Sequence, residues 1–278
     1  MGAYMARNLD KAGMLASVWN RTPEKARALA AELHCKVAAS PAALAQEVDA
    51  IVLCVSADAD VLAVVAQLAA TVRSGTLVID CSTVGAETAQ RAAAILKEKA
   101  ADFLDCPVSG GTEGARDATL AIMAGGEERA FEKAKPILAA LGKTITHFGP
   151  SGSGQAAKAT NQIMCAGIIQ AVAEAMAFAR AQGLPLEKLV DTLGKGAGSS
   201  WYFVHRAPNM IRGSFPPGFR VKLHAKDLKI CHEMAARFGV ELPVVERMLG
   251  EYAELIARGY GDEDISAAFR LKAELFPS

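Results

Sequence analysis

Short apolar runs alternate with helical segments through the first half of the chain, and helices alone fill the second. Residues 49–55 (DAIVLCV) form an unbroken apolar run, the mark of a strand buried on both faces. Residues 76–80 and 102–104 read the same way, and 119–124 and 144–148 extend the set. A shorter strand is expected over 16–19. Helical patterning covers 3–12, 23–34, 58–72 and 86–99, and Thr22-Pro23 supplies a cap followed by proline at the first helical position. Strand and helix alternate as far as Gly149, which predicts a doubly wound parallel sheet.

The pattern changes at Gly149-Pro150-Ser151-Gly152-Ser153-Gly154, a loop that leads into an uninterrupted helical stretch ending near Gln182. At about 1.5 Å per residue this helix is roughly 40 Å long, and Gly183-Leu184-Pro185 stops it. Residues 186–196, 201–213, 222–239, 243–258 and 264–274 also read helical, with a break at Pro216-Pro217-Gly218. The expectation is an α/β domain over 1–150 and an all-α domain over 151–278, joined by the long helix. Its composition, nearly all Ala, Ile, Val and Met, predicts burial almost all round.

A dinucleotide-binding βαβ unit passes from a strand through G-x-G-x-x-G into a helix, then to a second strand ending at the ribose-reading residue about 20 residues on. Here the helix and second strand are in place, with Asn20 eighteen residues after Gly2, but only the last glycine of the motif is present, as Gly2. The expected sheet is therefore one lacking its first strand. Either the start at Met1 is set too late or the strand has been lost, and the chain from Met1 is expected to hold a dinucleotide poorly.

Hydrophobic residues make up 51% of the 278, enough for a sizeable core, and 30 basic residues balance 30 acidic ones. That balance points away from nucleic acid and from an anionic membrane as partners. Six scattered cysteines without C-x-x-C fit a reducing cytoplasm and no structural metal, and the five histidines have no ligand spacing. Residues 1–9 lack a basic segment followed by an apolar run, so no leader is expected. Lys158, Asn161, Gln162, Gln170, Glu174 and Arg180 argue against the long helix as a plain membrane span.

Four constellations carry possible chemistry. Asn20-Arg21-Thr22 sits at the ribose-reading position; a neutral residue followed by a guanidinium suits a 2′-phosphate and so NADP, against the plainer reading of an exposed arginine. Asp105-Cys106-Pro107-Val108-Ser109-Gly110-Gly111-Thr112 follows a buried strand, where a hydroxyl and unhindered backbone amides could seat a carboxylate; the plainer reading is a glycine turn. Lys158, Asn161 and Gln162 share one helical face, either as proton donor with amide partners or as an exposed first turn. Lys226 with Asp227 could reach the nicotinamide end, or could belong to a solvated helix face.

In this order and spacing the four segments resemble the β-hydroxyacid dehydrogenase family, which includes 3-hydroxyisobutyrate dehydrogenase and tartronate semialdehyde reductase. Met1 to Leu9 matches the end of its opening motif, Asp105 to Gly111 its D-x-P-V-S-G-G, Gly152 to Asn161 its G-x-G-x-x-x-K-x-x-N, and Lys226 to Leu228 its K-D-L. The resemblance implies reversible hydride transfer between NADP(H), or NAD(H), and a small β-hydroxyacid or semialdehyde. It makes Lys158 the acid–base catalyst. It gives the substrate to Ser109, Gly110, Gly111, Asn161 and Gln162, and the cofactor to Gly2, Asn20, Arg21, Thr22, Val55, Ser56, Ser82, Thr83 and Lys226. Gln162, where many members carry asparagine, resembles the tartronate semialdehyde reductases. An imine reductase is the alternative enzyme, opposed by Lys158; a non-catalytic oligomeric binding protein is the alternative if the first strand is lost. The small side chains along 156–182 predict a homodimer or homotetramer.

Overall fold

The computed structural model describes residues 1–276. It divides into two compact units, Met1–Lys158 and the chain from Ala159 onward. The first contains, in order, α1 (Gly2–Lys11), β1 (Ser17–Val18), α2 (Pro23–Leu33), β2 (Lys36–Val37), α3 (Pro41–Glu47), β3 (Ala50–Leu53), α4 (Asp58–Ala69), β4 (Leu77–Asp80), α5 (Ala86–Lys97), β5 (Asp102–Asp105), β6 (Val108–Ser109), α6 (Gly111–Arg116), β7 (Leu120–Gly126), α7 (Glu128–Ala139) and β8 (Gly142–His147). Helices α2 and α3 both start at a proline preceded by Thr or Ser, and Ser40 Oγ accepts the Ala43 N–H at 3.1 Å.

Strands β3, β4 and β5 pair in parallel, Ala50 opposite Leu77 and Leu77 opposite Asp102. The pleat sorts their side chains onto two cores. Leu77, Ile79 and Leu104 pack with Met5 and Leu9 of α1 and with Phe131 and Leu138 of α7. Val78, Phe103, Ile51 and Leu53 pack with Val61, Val65 and Leu68 of α4 and with Ala89 and Leu96 of α5. Every residue of β4 is buried, which is why 76–80 reads apolar without alternation.

The parallel pattern breaks at β7, which runs antiparallel to β5 and β6 and parallel only to β8. The link from β6 to β7, Gly110 to Thr119, is shorter than the crossover a parallel partner needs. Strands β1 and β2 form a separate two-stranded sheet, while β3 begins the six-stranded one. In a doubly wound order of 3-2-1-4-5-6 a strand stands between the counterparts of β1 and β3. Among the described residues β1 hydrogen-bonds to β2 alone and β3 to β4 alone, so the sheet is in two pieces at the place of the expected first strand.

Helix α8 (Ser153–Ala181) is continuous over 29 residues, and α9 (Leu186–Leu193), α10 (Trp201–Arg212), α11 (Val221–Ala236), α12 (Pro243–Ala257) and α13 (Ala268–Ala273) follow. By length and composition α8 is long and apolar enough to cross a membrane. In this structure its Ala166, Ile169, Ala173 and Met176 join Tyr202, Met210, Leu228, Tyr252 and Phe269 in the core of the second unit. The expected all-round burial is not observed: Thr160, Met164, Ala171, Glu174, Ala175 and Phe178 are exposed along one side, Met164 at 62% and Phe178 at 52%.

Candidate functional site

The first turn of α8 is fastened to the strand ends of the first unit. Asp105, at the end of β5, is wholly buried; its Oδ1 accepts the Gly152 N–H at 2.8 Å and its Oδ2 the Gln155 N–H at 2.9 Å. Burial pushes this carboxyl up from its ordinary range, opposed by those backbone donors. A carboxylate at a helix N-terminus also meets the positive end of the helix dipole. The approach leaves no room for side chains: a Cβ on Gly154 would lie 2.4 Å from the carbonyl oxygens of Asp105 and Met123. Gly152 has φ +95°, a conformation glycine adopts without strain. The two glycines ahead of Lys158 are thus backbone requirements of this junction.

Gln155 carries the junction to the next loop. Its Nε2 donates to Ser82 O at 2.9 Å and its Oε1 accepts the Val84 N–H at 3.1 Å. Ser82 Oγ in turn accepts the Val55 N–H at 2.9 Å, and the Ser82 N–H donates to Asp80 Oδ1 at 2.9 Å. Val55, Ser56, Ser82 and Thr83 therefore lie on two loops, after β3 and after β4, that are hydrogen-bonded to each other and to the start of α8. Asp80 is the cost of this arrangement: it is fully buried, its Oδ2 has no hydrogen-bond partner among the described residues, and burial pushes its carboxyl up to about 6. Asp80, Asp105 and Gln155 were not among the expected site residues. For the two aspartates, a charged residue ending an apolar run is the available signal.

Lys158 lies on the second turn of α8 and is buried, at 6% exposed. Ser109 closes β6, and Gly110 (φ +128°) and Gly111 (φ +64°) turn the chain into α6. Helix α1 begins at Gly2 with no side-chain cap and no acidic residue in its first turn. Its leading amides suit an anion such as a diphosphate. At the end of β1, Asn20 Oδ1 accepts the Thr22 N–H at 2.9 Å, and Arg21, 76% exposed, pairs with Asp60 of α4 at 2.5 Å. Together with the loops after β3 and β4, these donors fit a dinucleotide, although the first two glycines of the fingerprint are not present.

Within the second unit, Gln162 and Asp227 are buried and bonded, Nε2 to Oδ2 at 2.8 Å, and Lys226 Nζ pairs with Asp227 Oδ1 at 2.8 Å. Asn161 Nδ2 donates to Gln162 Oε1 at 2.8 Å. All six cysteines are free thiols, and burial pushes Cys81 and Cys106 well above the ordinary thiol range, so neither is poised as a nucleophile. Among the described residues no group of His, Cys, Asp and Glu is placed to hold a metal ion.

Comparison with known proteins identifies the family. Residues 1–149 match the NAD-binding domain of 6-phosphogluconate dehydrogenase, and 152–272 match the family described as NAD-binding of NADP-dependent 3-hydroxyisobutyrate dehydrogenase. An NAD-dependent L-serine dehydrogenase of Pseudomonas aeruginosa is 34% identical over 281 residues, covering 98% of this chain and 94% of its own. A 3-hydroxyisobutyrate dehydrogenase of Mycobacterium tuberculosis, solved with L-serine, superposes with a TM-score of 0.88 at 32% identity, covering 98% and 95%. The Salmonella typhimurium 3-hydroxyisobutyrate dehydrogenase gives 0.85 at 34%, covering 97% and 95%. The chain, an oxidoreductase with nicotinamide-cofactor-binding domains, belongs to the β-hydroxyacid dehydrogenase family.

Proposed function

We propose that this protein interconverts a small β-hydroxyacid and its semialdehyde, of the 3-hydroxyisobutyrate or tartronate semialdehyde type, with NADP(H) preferred to NAD(H). The observation that carries the reading is the burial of Lys158 on a helix whose start is anchored by Asp105 and Gln155. A buried lysine is rarely placed without a role. Bound nicotinamide supplies the hydride acceptor for oxidation and the donor for reduction. Lys158 Nζ takes the hydroxyl proton in oxidation and returns it to the developing alkoxide in reduction. The Ser109 hydroxyl and the Gly110 and Gly111 amides hold the substrate carboxylate, with Asn161 and Gln162 completing the substrate contacts. Gly2, Val55, Ser56, Ser82, Thr83 and Lys226 serve the cofactor, and Asn20, Arg21 and Thr22 its 2′-phosphate end. We place the enzyme in the cytoplasm, where six free thiols stay reduced, as a homodimer or homotetramer.

The test is Lys158→Ala. It should lower kcat at least about a hundredfold, the scale of losing a general acid–base group, while NADPH affinity and the melting temperature change little. A variant keeping more than about a tenth of wild-type kcat would remove Lys158 from this role.

A further inference from the structure

The amides that follow Lys158 are polarised in one direction. Both oxygens of Asp227 are engaged, Oδ1 by Lys226 Nζ and Oδ2 by Gln162 Nε2, each at 2.8 Å. A carboxylate has no proton to give, so Gln162 can meet it only through its NH2 group. That turns Gln162 Oε1 towards Asn161, and Asn161 must answer with Nδ2, 2.8 Å away. The same Nδ2 lies 3.5 Å from Cys165 Sγ. The orientation of a side-chain amide is ordinarily ambiguous; here a carboxylate two links away decides it. Asn161 is left half-buried with its donors used and its Oδ1 accepting no hydrogen bond from the described residues.

We infer that Asn161 offers the substrate a hydrogen-bond acceptor, and that the site selects 3-hydroxy acids whose C2 carries a donor, a hydroxyl or an ammonium, over those whose C2 carries a methyl. This rests on the reading above, in which Asn161 contacts a 3-hydroxy acid. In that chemistry the one proton of the reacting hydroxyl goes to Lys158, and the substrate carboxylate has none. A donor for Asn161 Oδ1 must then come from the remaining substituent on C2. A methyl group there would strip the oxygen of water and return nothing. Sites built to hydrogen-bond a substrate group discriminate against its absence more strongly than apolar pockets discriminate by size.

Glycerate, serine and 3-hydroxyisobutyrate differ only at C2, and oxidation of each enantiomer with NADP+ and with NAD+ forms the test. The better of glycerate and serine should exceed 3-hydroxyisobutyrate in kcat/KM by at least about tenfold, the scale of an acceptor stripped of water and left without a donor. Asn161→Leu should bring that ratio to near one, because it lowers kcat/KM for the donor-bearing substrates at least about tenfold more than for 3-hydroxyisobutyrate. A merely structural role for Asn161 would lower all three together. Asp227→Asn, which lets the amide chain reverse, should lower the ratio as well and serves if the leucine variant does not fold. A wild-type ratio at or below one, or a uniform loss in both variants, overturns the inference while the activity stands. Oxidation of none of the three ends the proposed activity and the inference with it.

Discussion

Replacing Asp80 with Asn should stabilise the chain at neutral pH and lose that advantage in acid. Asp80 is fully buried, its Oδ1 accepts from the Ser82 N–H, and its Oδ2 has no partner. Burial, reinforced by Asp105 and Asp58 nearby, moves its ionisation to about 6, against about 3.9 in an unfolded chain. The folded state thus holds the proton more tightly. Stability present below pH 4 falls as pH rises towards 6 and levels off above it, by about 3 kcal/mol at 1.36 kcal/mol per decade. Asn keeps the acceptor for Ser82 and removes the charge, but its NH2 replaces Oδ2 at a cost of about 1–3 kcal/mol. The net gain at pH 7.5 is therefore roughly 0–2 kcal/mol. The amide cost is common to all pH values, so the cleaner quantity is the change with pH. The Asn variant should gain about 2 kcal/mol on the wild type between pH 4.5 and 7.5. Urea unfolding followed by circular dichroism at the two pH values measures it. A difference between the proteins that is the same at both, to within about 0.5 kcal/mol, would show that Asp80 does not ionise in this window.

Replacing Asn20-Arg21 with Asp-Leu should shift kcat/KM from NADP(H) towards NAD(H), and Asp60→Asn, which releases Arg21 from its ion pair, should tighten NADPH; equal use of both cofactors by the wild type would refute the assignment. Light scattering at micromolar concentration should give a dimer or tetramer, and Met164→Glu with Phe178→Glu should shift it towards monomer, because both side chains stand exposed on α8; a wild-type monomer refutes this. Gly154→Ala should yield little folded protein, since its Cβ would sit 2.4 Å from two carbonyl oxygens, and a melting temperature within a few degrees of wild type would show that the junction yields.

The buried strands were legible because Leu77, Val78 and Ile79 leave both faces of β4 apolar, and the long helix because nothing between Ser153 and Ala181 interrupts it. Strand β2 is not legible, since Lys36 and Val37 are two exposed residues with no pattern to show; α3 is too short for a periodic stripe, and Ser40-Pro41 is its one start signal. The reversal at β7 depends on the length of the preceding link rather than on any residue in it. In the segment from Asp105 to Thr112 attention falls on Ser109, Gly110 and Gly111. The aspartate instead anchors backbone amides 47 and 50 residues further on, a pairing no local spacing reveals. The placement of Lys158 shows the same limit: its helical position was readable, but whether that turn was covered depended on tertiary packing.

The division of the sheet leaves β1 and β2 joined to the rest of the first unit by side chains, among them the Arg21–Asp60 pair and Trp19, and not by a common ladder. Among the described residues, β1 and β2 meet at two register pairs, Ser17 with Lys36 and Val18 with Val37, and share no ladder bond with β3. With so short a ladder, the amides of the segment carrying Asn20, Arg21 and Thr22 should exchange with deuterium ahead of those in the fully buried β4. A ligand that gripped both parts would act as a clamp. Its apparent affinity would be reduced by the fraction of time the smaller part spends open, and its binding would slow exchange across residues 17–38.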